Sequence, residues 1–352
     1  MNRELSIGIL GGGQLGMMLC QASKEIGIDT HIFCPDEDSP AKNYSNNFTC
    51  EDYLNEKEII NFSNSVDIIT YEFENIPKET LELINDNKLR PGIKSLEQTQ
   101  DRLIERKLLE KLNIPYAPYK ELKSEEDFNY SISNFGDAII KTRRLGYDGK
   151  GQISVNQETS FDKNISSLFN QSIIEKKIPF EFEFSQVSCR DIFGNVFHFP
   201  LTRNIHRNHI LKHSYAPLDL PNDLEEYARE ITKKIISDLD HVGVLTVEFF
   251  KIKENILVNE IAPRVHNSGH WTIEGCSSSQ FKIHMQAVSG IKITQPKLLN
   301  ECHMVNLIGE EINNWIDKKS DSHVNIHLYH KNKIKDGRKM GHLTYIKDKK
   351  IS

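Results

Sequence analysis

Two glutamates in the last third of the chain have the type and spacing to share a cation. Residues 242–271 read VGVLTVEFF, KIKEN and ILVNEIAPRVHNSGHW, two apolar runs around a polar pentapeptide, which is the pattern of a β-hairpin. A turn centred on Glu254 sets Glu248 directly opposite Glu260. Side chains so paired have Cβ atoms about 4.5–5.5 Å apart, and like charges at that range repel unless something neutralises them. A hard divalent cation, Mg²⁺ or Mn²⁺, bound by one or two carboxylates plus substrate phosphates, meets that need. The polar string Arg264, His266, Asn267, Ser268, Gly269, His270 and Trp271 follows at once, as an anion-binding loop beside a metal and a nucleotide would. The alternative is that each glutamate pairs with a surface lysine such as Lys251 or Lys253.

A second constellation lies in 141–152, KTRRLGYDGKGQ. Lys141 ends an apolar strand, Gly146, Gly149 and Gly151 expose backbone N–H groups, and Lys150 adds charge, so the loop can close over a polyphosphate. It lacks the G-x-x-x-x-G-K-[ST] of a P-loop, and a mobile surface hairpin is the other reading. Asp148 is an acid among cations; its neighbours favour the ionised form, and it can accept a proton. Glu175 closes the apolar run Ser172-Ile173-Ile174. A strand edge there, with free backbone groups, can read an adenine ring, and Glu183 can accept from ribose hydroxyls; solvated acids are the alternative. Gly11, Gly13 and Gly16 in ILGGGQLG fit G-x-G-x-x-G between a strand and a helix, with Asp36 twenty residues on, which completes the dinucleotide fingerprint in form. The same glycines suit a single phosphate at a helix N-terminus, or tight strand–helix packing. In the tail, Lys331, Arg338 and Lys339 suit a fixed anion such as a phosphomonoester, or a solvated charge run.

The elements that must position these groups alternate. Strand signals at Leu5–Leu10, Thr30–Cys34 and Val66–Tyr71 alternate with helices over Gln14–Ile26 and 77–87, a βαβ pattern with a parallel sheet. A helix is expected over 98–112, ended by Asn113-Ile114-Pro115. Strands follow at Asp137–Lys141 and Gln171–Glu175, then the alternating FEFEFSQVSCRD, helices over 222–239 and 279–289, and a strand at Val324–Tyr329. With 352 residues the chain exceeds one ordinary core. A net charge of −6, without a long basic run, argues against a nucleic-acid binder. No apolar stretch has a membrane span's length, and the N-terminus enters its first strand without a cleavable signal pattern. The six cysteines are scattered with no C-x-x-C pair, as expected of reduced thiols in the cytoplasm.

In their order these segments resemble the N5-carboxyaminoimidazole ribonucleotide synthase family of the ATP-grasp superfamily. The resemblance runs through GILGGGQLGMM, TYEFENIP at 70–77, QDRLIERKLL at 100–109, RRLGYDGKGQ at 143–152, NEIAPRVHNSGHW at 259–271 and GRKMGH at 337–342. It implies an α/β ATP-grasp fold of three domains. These are an N-terminal parallel α/β domain at 1–100, a linker helix and central lid at 101–178, and a C-terminal α+β domain with a small β tail at 179–352. Two departures stand out. The asparagine of the E-x-N-x-R common in the superfamily is Ala262 here, which fits the purine-pathway branch, and relatives often continue into another helix beyond the GHL strand. His266-Asn267-Ser268-Gly269, where the related formyl-transferring enzymes read H-D-T-G, favours the carboxylating enzyme.

The implied activity is ATP-dependent carboxylation of 5-aminoimidazole ribonucleotide with bicarbonate, through carboxyphosphate, in de novo purine synthesis. By the resemblance, Arg102, Lys141, Gly146, Tyr147, Asp148, Gly149, Lys150, Gly151 and Gln152 contact ATP. So do Glu175, Lys176, Lys177, Ile178, Glu183, His206, Asn259 and Glu260. Glu248 and Glu260 hold the metal; Asp148, Lys141, Arg264, His266 and Asn267 are catalytic. Gln14, Tyr147, Asp148, Arg264, Ser268, Lys331 and Arg338 bind the ribonucleotide or bicarbonate. A homodimer in the cytoplasm, without nucleic-acid or membrane partners, completes the expectation. The rival from another class, an NAD-dependent oxidoreductase built on the glycines at 11–16, leaves Glu248, Glu260 and 143–152 unexplained.

Overall fold

The structure is a computed structural model that describes residues 5–146 and 149–347. Four short apolar runs form its first sheet. Strands β1 (Ser6–Leu10), β2 (Asp29–Cys34), β3 (Asn47–Cys50) and β4 (Ile68–Tyr71) are parallel, in the order β3-β2-β1-β4. Sheets covered on both faces use continuous apolar runs rather than alternation, which is how β1 and β4 read. At Gly8 in the middle of β1, a Cβ would lie 2.5 Å from the Phe62 ring of the helix Glu56–Ser65.

Two helices differ from expectation. The helix expected over 77–87 covers only Lys78–Glu82. Beyond it the Asn85 side chain takes the N–H of Asn87, a local bond that competes with helix continuation. The single helix expected over 98–112 is two, Ile93–Thr99 and Arg102–Lys111. Asp101 stands at the break, capping the second helix through the Leu103 N–H at 3.0 Å and pairing with Arg143 at 2.7 Å.

The second sheet is antiparallel. Strands β5 (Tyr119–Glu121), β6 (Ala138–Thr142), β7 (Gln152–Val155) and β8 (Ser172–Lys176) lie in the order β5-β8-β6-β7. Its small core joins Ile140 and Ile174 to Phe128 and Ile132 of the helix Glu125–Phe135.

The third sheet contains β9 (Phe182–Arg190), β10 (Val196–His198), β11 (Thr202–Arg207), β12 (Ile210–Ala216), β13 (Gly243–Ile252) and β14 (Asn255–Ala262). The tail adds β15 (Glu301–Ile308), β16 (Val324–Leu328) and β17 (Lys339–Lys347) to the same sheet, through the pairing of β12 with β15. The strand order is β14-β13-β9-β11-β12-β15-β17-β16, with β10 on β9.

Alternation along β9 and β13 separates two cores. Phe184, Leu245, Val247 and Phe249 pack with Ile231 and Ile235 of the helix Asn222–Asp238. Val187, Cys189 and Val244 turn the other way, toward Phe281, Met285 and Val288 of the helix Gln280–Ser289. Period-two alternation puts Glu248 on the Val244 face. That second core also takes in Met17, Met18 and Leu19 of the helix Gln14–Glu25, so the first and third sheets share one apolar interior. Thr70 Oγ1 lies 2.9 Å from His284 Nε2 across this junction. No helix among the described residues is long and apolar enough to cross a membrane.

Candidate active site

The acidic pair forms through a bulge. From Ile252 opposite Asn255 to Phe249 opposite Val258, β13 and β14 run in the register of a two-residue turn at Lys253-Glu254. That register alone would set Glu248 against Asn259. An irregularity between Glu248 and Phe249 leaves Asn259 unpaired and brings Glu248 opposite Glu260. The turn is therefore not centred on Glu254, although the expected pair is present.

Among the described residues neither glutamate pairs with Lys251 or Lys253. Glu248 is buried, and His266 Nε2 lies 3.3 Å from its Oε1. Glu260 is half exposed with Arg102 Nη1 at 3.4 Å, and Lys251 reaches Glu181 instead, at 3.9 Å. Burial, and then the Glu260 charge, push the Glu248 carboxyl up to about 8, with His206 opposing. A cation placed between the two would remove that repulsion. Among the described residues no cluster of three or more His, Cys, Asp or Glu side chains is arranged for a metal. Two carboxylates on an open cavity suit a hard ion that completes its shell with phosphate oxygens and water, as Mg²⁺ does.

Across the cavity, four charges are locked together. Arg106, fully buried, donates from Nε to Glu175 (2.6 Å), from Nη1 to Glu105 (2.6 Å) and from Nη2 to the carbonyl of the bulged Asn259 (2.7 Å). Lys141 on β6 forms an ion pair with the other oxygen of Glu175. Burial would raise the Glu175 carboxyl, but Arg106 and Lys141 outweigh it and hold it at about 2. Glu175 is not on a free edge, because β8 lies between β5 and β6. The next N–H groups, of Lys176 and Lys177, bond the carbonyls of Pro118 and Asp137.

The loop after β6 needs its glycines. Gly149 has φ +77°, and a Cβ there would come within 2.4 Å of His209; Gly151 has φ +73° and would meet Thr142 at 2.4 Å. Tyr147 and Asp148 lie outside the described residues. His206 Nδ1 is 2.6 Å from Glu183 Oε2. Burial lowers this imidazole, but the Glu183 hydrogen bond and the Glu248 charge raise it more, above its ordinary value.

The polar string after β14 forms the cavity's other wall. Arg264 forks onto Glu74, with Nη2 to Oε1 at 2.8 Å and a second bond from Nε. Asn267 and Asn306 exchange reciprocal amide bonds of 3.1 and 2.6 Å. Burial and the Arg264 charge keep His266 well below the usual imidazole range. Ser268 is fully buried beneath this wall, so its expected place against substrate is corrected: its hydroxyl meets Ser185 and His266 instead. At the glycine loop the anion at the helix N-terminus is internal, with Gly13 N–H donating to Glu72 Oε1 at 2.7 Å.

One cavity of about 1480 Å³ joins these groups. Its lining includes Gln14, Arg102, Lys141, Gly146, Gly149, Lys150 and Gln152. Glu175, Lys176, Lys177, Ile178, Glu183 and His206 line it as well. So do Glu248, Asn259, Glu260, Arg264, His266 and Asn267, with Lys331 and Arg338 from the tail. Gly151, like Ser268, is not among the lining residues. Sequence reasoning passed over Arg106, Glu72 and Glu74. Arg106 stands four residues after Arg102, on the same helical face, and that spacing was the available signal.

Comparisons with known proteins fall on the same segments. The ribonucleotide synthetase preATP-grasp domain matches residues 5–100, the ATP-grasp domain residues 107–281, and the phosphoribosylaminoimidazole carboxylase C-terminal domain residues 302–351. The N5-carboxyaminoimidazole ribonucleotide synthase of Brucella melitensis is 38% identical over 98% of this chain and 97% of its own. A bifunctional purine synthesis protein of Dictyostelium discoideum is 38% identical over 96% of this chain, which spans only 37% of that longer protein. The N5-carboxyaminoimidazole synthetase of Staphylococcus aureus, complexed with ADP, superposes with a TM-score of 0.92 at 34% identity, covering 98% of this chain and 94% of its own. The Aspergillus clavatus synthase, in complex with ADP and 5-aminoimidazole ribonucleotide, gives 0.90 at 27% identity over 99% and 95%.

Proposed function

From the premise that this chain belongs to the N5-carboxyaminoimidazole ribonucleotide synthase family of ATP-grasp enzymes, we propose how its residues divide the work. The chain is an ATP-dependent ligase that joins bicarbonate to 5-aminoimidazole ribonucleotide in purine biosynthesis. We take its domains as 1–100, 101–178 and 179–352, and the protein as a cytoplasmic homodimer that engages neither nucleic acid nor membrane.

Lys141 and the loop Gly146–Gln152 close over the triphosphate; Glu175 to Ile178, Glu183 and His206 receive the adenosine, with Arg102 and Asn259 beside them. Glu248 and Glu260 hold Mg²⁺, or Mn²⁺ in its place, which supplies neutralisation of phosphate charge. Arg264, its fork fixed by Glu74, seats bicarbonate with His266 and Asn267. A bicarbonate oxygen attacks the γ-phosphorus, ADP leaves, and carboxyphosphate forms. Carboxyphosphate loses phosphate to give CO₂ within a site closed to bulk water. The amine of the ribonucleotide adds to that carbon, and Asp148 takes its proton. Gln14, Tyr147, Lys331 and Arg338 hold the ribonucleotide, Gln14 near its 5′-phosphate.

The observation that carries this reading is the single cavity shared by Lys141, the Glu248–Glu260 pair, Arg264 and the tail cations Lys331 and Arg338. The test is to incubate the protein with ATP, Mg²⁺ and bicarbonate, with and without 5-aminoimidazole ribonucleotide, and to follow phosphate release and ribonucleotide carboxylation. Carboxylation that needs all four components is the expected result. ATP hydrolysis indifferent to the ribonucleotide, with no carboxylated product, would reject it.

A further inference from the structure

Beneath the cavity the third sheet carries polar side chains that the chemistry above leaves unused. Ser185 on β9 stands directly opposite Glu248 on β13, and Asn204 on β11 stands opposite Ser214 on β12. Ser185, Asn204 and Ser214 are all buried, where a hydroxyl or amide needs a partner, and they find one another in a line. Ser214 Oγ donates to Asn204 Oδ1 (3.0 Å), and Asn204 Nδ2 donates to Ser185 Oγ (3.1 Å). Ser185 Oγ, already accepting from an amide, is free to turn its own proton to Ser268 Oγ at 2.7 Å. The Ser268 hydroxyl in turn lies 2.8 Å from His266 Nδ1.

A second donor reaches the same nitrogen. The backbone N–H of Ser268, which can only donate, points at His266 Nδ1 over 3.3 Å. Nδ1 therefore carries the ring's lone pair and Nε2 its proton, facing Glu248 Oε1 at 3.3 Å. The rest of the residue is clamped by buried Gln280, whose Oε1 accepts from the His266 N–H (2.9 Å) and whose Nε2 donates to the His266 carbonyl (2.6 Å).

We propose that the line Ser214–Asn204–Ser185–Ser268 holds His266 in its Nε2–H tautomer and so keeps a proton, rather than a lone pair, on the nitrogen 3.3 Å from Glu248. The tautomer stands on this geometry alone; its consequence for turnover rests on the reading of Glu248 as a metal ligand. These four are positioning residues. Removing outer partners around a metal ligand typically costs about 10–100-fold in metal affinity or activity.

The test uses the full chain, free of nucleotide and metal, with ¹⁵N-labelled histidine, and reads the His266 ring nitrogens, assigned by their loss in His266→Gln. The wild type is expected to show a protonated Nε2 and an unprotonated Nδ1. Ser185→Ala removes a hydroxyl whose hydrogen bonds go to Asn204 and Ser268, not to the ring. It should nevertheless move the His266 signals toward a mixture of tautomers and lower kcat about tenfold, with KM for ATP and the melting midpoint close to wild type. A wild-type ring protonated on Nδ1 overturns the proposal, whether or not the variant folds. So does a Ser185→Ala protein with wild-type ring signals, whatever its kcat. An Nε2–H ring in a protein that fails to carboxylate the ribonucleotide would instead count against the proposed reaction and leave the tautomer standing.

Discussion

Glu248 and Glu260 face each other because Asn259 bulges out of β14, and the carbonyl of Asn259 is held by Arg106 at 2.7 Å. The same guanidinium binds Glu175, the partner of Lys141. One buried side chain thus links the register of the acidic pair on the third sheet to the cation on the second. The two walls of the cavity are coupled through a hydrogen-bonded charge cluster rather than through apolar contact alone.

Glu248→Gln and Glu260→Gln keep side-chain shape and remove the charge proposed to hold the cation. Each should lower ATP turnover more than about a hundredfold, beyond the range for residues that merely support a ligand. The Glu248→Gln melting midpoint should not fall, because the wild-type carboxyl is already pushed up to about 8 by burial and by Glu260. Phosphate release and thermal melts on the same preparations check both. Near-normal phosphate release by either variant would end the metal assignment.

Arg106→Met should be far more costly to folding than its single position suggests. It strands Glu105, which burial already pushes up to about 7, and leaves Glu175 with Lys141 as its remaining ion-pair partner. Removing one partner of a buried ionic group typically costs about 3–5 kcal/mol. Arg106→Lys should recover little, since one ammonium cannot reproduce a planar fork that serves three acceptors. Urea unfolding and nucleotide binding are the measurements. A loss below about 1 kcal/mol would show that the cluster relaxes freely.

How far the sequence displays this site depends on the range of the interaction. Glycines forced by φ and close approach, Gly149 and Gly151, stand out because only a residue without a side chain fits there. Glu248 and Glu260 are legible as a hairpin pair, yet a turn centred on Glu254 predicts the pairing only because a bulge compensates for the actual two-residue turn. Arg106 reads as one more charge on an amphipathic helix, since nothing local reveals that Glu175 and Asn259, 69 and 153 residues away, will close over it. Ser268 misleads in the opposite sense. Its place in a polar string suggests a ligand contact, whereas Ser185 from a strand 83 residues earlier takes its hydroxyl into the interior. The break at Asp101 is equally non-local, because the cap gains its value from Arg143, just past the end of β6.

Stability should fall below neutral pH through histidines buried in neutral form. His241 and His284, at the junction of the first and third sheets, are lowered to about 3 by burial. Their unfolded value is about 6.5. Above that pH both histidines are neutral in either state and contribute no slope. Below it the unfolded chain binds protons that the folded chain refuses, so each histidine removes up to about 1.4 kcal/mol per pH unit as pH falls toward 3. His198 and His303, held at about 4, act in the same sense; His206, raised chiefly by Glu183 against its burial, offsets part of it. From pH 7.5 to 6.5 the raised Glu248 and Glu105 carboxyls add stability, because the folded chain there binds protons that the unfolded chain does not. Urea midpoints should therefore not fall over that step, and should drop from pH 6.5 to 5.5 as the more numerous histidines dominate. A midpoint that holds or rises from pH 6.5 to 5.5 would contradict neutral burial at this junction.

Asp148 offers the sharpest division between the two halves of the proposed reaction. Asp148→Asn preserves size and hydrogen-bonding capacity but cannot accept a proton at neutral pH. In the proposed reaction carboxyphosphate formation draws on Lys141, Arg264, Glu248 and Glu260, none of which this substitution alters. Attack by the amine needs a group to take its proton, and that step should slow steeply. Bicarbonate-dependent ATP hydrolysis should therefore outlast product formation, with phosphate released in excess over carboxylated ribonucleotide. If Asp148 serves only to shape the loop between Gly146 and Gly149, both activities should decline together and ATP should bind more weakly. Phosphate and product measured in one reaction mixture separate the two outcomes, and a parallel decline removes the general-base role.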